Sequence, residues 1–226
     1  MPSFALQSSR EKFVRHFLDF LSRKLYSLYQ MIIVDVESTG VDSRLCSLLS
    51  VGAVDFNNPG NQFYMECRAF EGSHVEKEAL KIAGFSSEQI HDAAKKTDRE
   101  VVVAFLKWMK GCGEWTLAGQ NPSFDRDFLQ ETAHRYHLDW PLAHRTIDLH
   151  SIAYYEFVRL GKDIPRKNNH SALNLDRILE HVGLRSRDES HNALNDAKLE
   201  SEAFSRLVYG KNLLTEYSSF PIPPRL

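Results

Sequence analysis

Met31-Ile32-Ile33-Val34-Asp35-Val36-Glu37-Ser38-Thr39-Gly40 is the stretch on which the reading of this chain turns. Its first half is a continuous apolar run with β-branched residues, which suits a strand buried on both faces. Two carboxylates, Asp35 and Glu37, stand at its end. Strand side chains alternate faces, so residues two apart point the same way. Like charges held side by side next to a core are costly unless a cation neutralises them. Thr39-Gly40 then closes the strand with turn chemistry. Taken alone, the pair fits a divalent-metal site, or an acidic strand end that faces water.

Working outward, the whole chain has 226 residues, enough for one well-filled domain with a terminal addition. Apolar residues make up 42% and charged residues 26%, ordinary globular usage that favours neither disorder nor a fibre. A net charge of −2 gives no overall basic signature, so a nucleic-acid partner would need a local basic patch and metal at the acidic site. The three cysteines, Cys46, Cys67 and Cys112, are odd in number and lack CxxC spacing. That argues against a disulfide framework or a cysteine zinc site and fits a reducing compartment. No apolar run approaches the roughly 20 residues needed to span a bilayer. The expectation is a soluble, cytoplasmic α/β protein with no membrane partner.

Upstream of the acidic strand, Phe13, Phe17, Leu21, Leu25 and Leu28 recur at helical spacing. The opposite face is mostly basic. Residues 1–30 read as an added amphipathic helix or as a targeting leader, although Glu11 and Asp19 weaken the second. Downstream, Leu48–Phe56 and Phe63–Phe70 read as strands around the turn Asn57-Asn58-Pro59-Gly60, making an antiparallel meander. Short helical segments are expected over His74–Gly84 and Ser86–Ala94. A longer helix over Asp98–Lys110 has Asp98 as its cap and Val101, Val102, Phe105, Leu106 and Met109 on one face. A short strand at Trp115–Gly119 precedes Asn121-Pro122, a capping side chain followed by proline at the first helical position. Thr146–Leu149 is a further strand-end or helix-entry segment, leading into a helix through Val158. Gly161–Asn169 reads as a loop, Ser171–His181 and Ser190–Val208 as helices, and the chain from Ser218 as an extended tail. The order points to one α/β domain with a mixed sheet.

Asp125 lies in the first turns of the helix opened by Asn121-Pro122, where a carboxylate also simply satisfies the helix dipole. Asp127 reads as a surface acid. His191 and Asp196 are five residues apart, about 140° of helical rotation, so they converge only if His191 precedes the helix that carries Asp196.

These residues together resemble a family. Asp35-Val36-Glu37-Ser38-Thr39-Gly40 is similar to its DxETTG segment, Asn121-Pro122-Ser123-Phe124-Asp125 to NxxFD, and His191-Asn192-Ala193-Leu194-Asn195-Asp196-Ala197 to HxALxDA. Order and spacing over roughly residues 31–210 resemble the DEDDh 3′→5′ exonucleases. Each segment alone is weak, and three in order are specific. The resemblance implies a ribonuclease H-like fold: a five-stranded mixed sheet, its first three strands antiparallel, flanked by helices. Residues 31–210 would then be the exonuclease domain and 211–226 a C-terminal tail. It implies two ions, Mg²⁺ or Mn²⁺, with Asp35 bridging both, Glu37 and Asp196 completing one site and Asp125 supporting the other. His191 would take the proton of the attacking water; an ordinary histidine pKa near 6.5 suits that task. The backbone around Ser38 and Thr39 would approach the terminal nucleotide. The substrate would be the 3′ end of single-stranded DNA or RNA, released as nucleoside 5′-monophosphates. A proofreading subunit that acts only with a polymerase, a homodimer, and a non-catalytic binding module are the alternatives. Ser38 replaces the commoner threonine and Ser50 stands where an acid is frequent, which bears on substrate choice. Asp148 reads as a supporting residue at a helix start. Lys162, Arg166 and Lys167 with His170 read equally as phosphate contacts and as a solvated loop.

Overall fold

The computed structural model describes residues 31–186 and 191–224; the helix or leader expected over 1–30 lies outside them. Strand β1 (Ile32–Ser38) lies at the heart of a mixed sheet with β2 (Leu48–Asp55), β3 (Gln62–Arg68), β4 (Lys96–Thr97), β5 (Leu117–Gly119) and β6 (Thr146–Asp148), in the order β4-β3-β2-β1-β5-β6. β1 to β3 form the expected antiparallel meander, while β5 runs parallel to β1, and β6 to β5. The five expected strands are therefore present, and β4 adds a sixth, two residues long, parallel to β3 at the edge. With β1, β5 and β6 parallel, their C-terminal ends share one end of the sheet.

The alternation along β1 sorts its side chains between two cores. Ile32, Val34 and Val36 pack with helices α3 (Asp98–Met109) and α4 (Pro122–Arg135) on one face. Ile33 packs with α5 (Leu149–Arg159), α6 (Leu175–His181) and α7 (Ala193–Tyr209) on the other. Asp35 and Glu37 share the second face by the same alternation. Two short helices, α1 (Lys77–Ala83) and α2 (Ser87–Ile90), follow β3. No helix among the described residues is long and apolar enough to cross a membrane.

Several local expectations are corrected. Thr97, not Asp98, caps α3: its hydroxyl accepts from Glu100 N–H while Glu100 reaches back to Thr97 N–H. Asp98 is instead buried, accepting from Arg135 Nη1 at 3.0 Å and Tyr136 OH at 2.7 Å. Asn121 precedes α4 with φ of 59° and makes no capping bond from its side chain. Its left-handed turn swings β5 directly into the helix, and its N–H donates to Asp148 Oδ1 at 3.1 Å. The Gly161–Asn169 loop contains half of a small hairpin, β7 (Arg166–Lys167) with β8 (His170–Ser171), so the helix expected from Ser171 begins only at Leu175. Just before the expected tail, Thr215–Tyr217 forms a 3₁₀ turn. A fully buried pair holds it in place. Arg206 Nε donates to Glu202 Oε1 at 2.8 Å, and its Nη2 donates to the carbonyls of Tyr217 and Phe220 at 3.0 Å. Glu202 Oε2 in turn accepts from the N–H groups of Leu213 and Leu214.

Candidate active site

The site is assembled where α7 begins, because two glycines let that helix lie against the sheet. Gly52 of β2 stands directly opposite Asp35. A Cβ there would run into the backbone of Ala193 and Leu194. On the other side of β1, a Cβ on Gly119 would stand 2.9 Å from Val34 O and 3.0 Å from Glu200 Oε2. The first turns of α7 therefore pack closely against β2 and β1 near Asp35.

His191 precedes α7, as its spacing to Asp196 requires. Its N–H donates to Ile82 O at the end of α1, at 2.9 Å, and the next residue, Asn192, caps α7 through Asn195 N–H. The histidine is a quarter exposed while Asp196 and Glu37 are buried. His191 Nδ1 lies 3.7 Å from Asp196 Oδ2. One potential ligand atom from each of Glu37, His191 and Asp196 falls within 4.8 Å of the others.

Asp125 approaches from the opposite face. The first turn of α4 buries it against β1, where its Oδ1 accepts from Val36 N–H at 2.9 Å. Burial pushes its carboxyl up, opposed by that N–H. Burial also holds Asp35 well above the ordinary carboxylate range, followed by the charges of Asp125, Glu200, Glu37 and Asp196. Five carboxylates thus share one field. Such a crowded, oxygen-rich set with one imidazole suits hard divalent cations and disfavours a site without them.

Glu200 was not anticipated from the sequence. It is one turn beyond Asp196, on the same side of α7, and 1% exposed. That four-residue spacing was the available signal. Ser38 and Thr39 are placed differently from one another. Ser38 Oγ donates to Gly40 O at 2.7 Å beside an irregularity in the β1–β2 pairing. Thr39 is fully buried: its hydroxyl donates to His74 O and accepts from Ser47 N–H, and its own N–H donates to Ser47 O. Its polar groups hold the loop. Asp127 is a half-exposed partner of Arg126, as expected of a surface acid. Asp148 caps α5 through His150 and Ser151 N–H, a supporting role.

The chain is similar to several known proteins. Ribonuclease T of Vibrio vulnificus (strain YJ016) is 22% identical over 205 residues, covering 82% of this chain and 87% of its own. The 3′-5′ DNA exonuclease Cap18 of Escherichia coli is 27% identical over 184 residues, covering 78% of this chain and 90% of its own. Among solved structures, E. coli Exonuclease I with a dT13 oligonucleotide superposes with a TM-score of 0.63 at 16% identity, over 78% of this chain. This chain spans only 41% of that one. The nuclease domain of 3′hExo, a DEDDh family member bound to rAMP, gives a TM-score of 0.60 at 17% identity, over 87% of this chain and 97% of that domain. Residues 32–204 match the exonuclease family (RNase_T), and the chain, with its acids and histidine drawn to one sheet end, belongs to that family.

Proposed function

We propose that this chain hydrolyses the terminal phosphodiester at the 3′ end of single-stranded nucleic acid, releasing nucleoside 5′-monophosphates with the help of two divalent ions, Mg²⁺ or Mn²⁺. The observation that carries this reading is the meeting of Glu37, His191 and Asp196 donor atoms within 4.8 Å, beside an Asp35 whose charge its neighbours resist. Asp35, Glu37, Asp125 and Asp196 would hold the ions. When bound, these would neutralise the phosphate and lower the pKa of a water molecule.

The chain's own residues do the rest. His191 directs Nδ1 toward Asp196, so Nε2 is the nitrogen that accepts the proton of the attacking water. The water oxygen bonds to phosphorus, the bond from phosphorus to the upstream 3′ oxygen breaks, and that oxygen is protonated. The phosphate leaves on the 5′ carbon of the released nucleotide. Asp125, fixed on Val36 N–H, keeps its carboxylate at β1 throughout.

One relative is named for RNA and another for DNA, so both substrates belong in the test. Purified protein is incubated with 5′-labelled single-stranded DNA and RNA, with Mg²⁺, with Mn²⁺ and with EDTA. A ladder shortening from the 3′ end only with metal is the expected result. Binding without cleavage, or cleavage in EDTA, would overturn the reading.

A further inference from the structure

The β7–β8 hairpin has no part in either core. Arg166 pairs opposite Ser171 and Lys167 opposite His170. Asn168 and Asn169, between them, have φ of 50° and 63°, the left-handed pair that a tight two-residue hairpin turn requires. All the residues from Arg166 to Ser171 are exposed. Burial therefore does not explain why this segment is ordered into a hairpin. Polar anchors at its base do. Ala172 N–H donates to Pro165 O at 2.7 Å, His150 Nε2 lies 2.9 Å from Ser171 Oγ, and Gln120 Nε2 reaches Leu173 O at 3.5 Å. Gln120 directly follows β5, and His150 lies two residues beyond Asp148, the last residue of β6 and the cap of α5. Those are the ends of the sheet that also present Asp125, so the hairpin is rooted beside the acidic site.

Its charge is uncompensated. Neither Arg166 nor Lys167 forms an ion pair among the described residues, and Asp163 close by in sequence pairs with neither. The third cation of the loop behaves otherwise: Lys162 Nζ lies 3.2 Å from His181 Nδ1 and 5.9 Å from the centre of the Phe157 ring, folded back on the domain. Two adjacent, unpaired cations on an exposed hairpin match a polyanion. The acids of the neighbouring site repel one.

We propose that Arg166 and Lys167 hold phosphates of the substrate single strand upstream of the bond that is cut. This rests on the reading of the chain as a 3′-end hydrolase and names the surface that carries the rest of the strand. The hairpin fixes the two cations, and the strand is guided along it toward Asp35.

The test measures binding of a fluorescein-labelled oligothymidylate in EDTA, so that no cleavage intrudes, over a series of salt concentrations. For a single strand the slope of log affinity against log salt is about −0.7 per phosphate engaged. Arg166→Ala/Lys167→Ala should therefore flatten the slope by about 1.4 and weaken low-salt binding about tenfold. Arg166→Gln/Lys167→Gln should do the same, and Arg166→Lys alone should retain the wild-type slope. Thermal midpoints that match wild type exclude a folding defect. Slopes and affinities equal to wild type in both double variants would overturn the proposal. The hydrolase reading is judged separately, by wild-type cleavage of the same oligonucleotide in Mg²⁺.

Discussion

Asp35 stands where four other carboxylates, Asp125, Glu200, Glu37 and Asp196, act on one oxygen-bearing side chain. Replacing it should therefore have opposite effects on function and on stability. Asp35→Asn is expected to abolish metal-dependent hydrolysis yet raise the thermal midpoint of the metal-free protein, because it removes a charge that its surroundings resist. Loss of activity together with a lowered midpoint would show that the variant fails by unfolding. His191→Ala should slow hydrolysis by about 10²–10⁴-fold, the usual cost of a missing general base, as single-turnover rates would show. At this scale much of the site was legible. Asp35 and Glu37 showed in strand alternation, and Asp125, His191 and Asp196 through their local segments. Glu200 was not, since an acid within a long helix reads as a solvated one until the helix is seen to be enclosed. At Thr39 the sequence shows a turn, and only the structure shows its hydroxyl, N–H and carbonyl all engaged within the loop.

Among the elements, α7 bears most on the site. Gly52→Ala would put a methyl group into the backbone of Ala193 and Leu194 and lift the helix start from β2. A cost of about 1–3 kcal/mol is expected by urea unfolding, with hydrolysis falling further than stability because His191 and Asp196 move together. The other end of α7 has its own weak point. Arg206→Ala would leave Glu202 buried without its counter-charge and release the carbonyls of Tyr217 and Phe220. Breaking such a pair costs about 3–5 kcal/mol, which denaturant melts would register. The apolar face of α3 was readable in advance, as was the position of α4. The boundaries and caps were not, because Thr97 and Asp98 are equally good capping residues until Arg135 and Tyr136 claim the second. α7 was readable only in part, since its buried Glu200, Ser201, Glu202, Ser205 and Arg206 interrupt the apolar period that marks a packed helix.

For the whole molecule, the acidic site links stability to pH with an unusual sign. Asp35 and Asp125 are raised above their values in an unfolded chain, so the native state binds more protons between the ordinary carboxylate range and about 8. Stability without metal should then fall as pH rises through that window. Saturating Mg²⁺ should remove the fall and add about 2.7 kcal/mol at a hundredfold excess over its dissociation constant. Urea midpoints across pH, with EDTA and with Mg²⁺, check both; a metal-free midpoint that rises with pH would contradict the site as drawn. The antiparallel meander was readable from the Asn57–Gly60 turn and the domain class from the alternation that follows. The sixth strand was not, because Lys96 and Thr97 are too few to make a pattern. The docking of α7 across β1 also has a consequence in time. A chain still on the ribosome, complete as far as β6, carries Asp35, Glu37 and Asp125 but lacks the segment that supplies His191 and Asp196. On the proposed reading such a nascent chain holds only part of the catalytic centre and is expected not to cut the message or any other strand beside it. Competence would then arrive late, when the last long helix emerges and packs over two glycines.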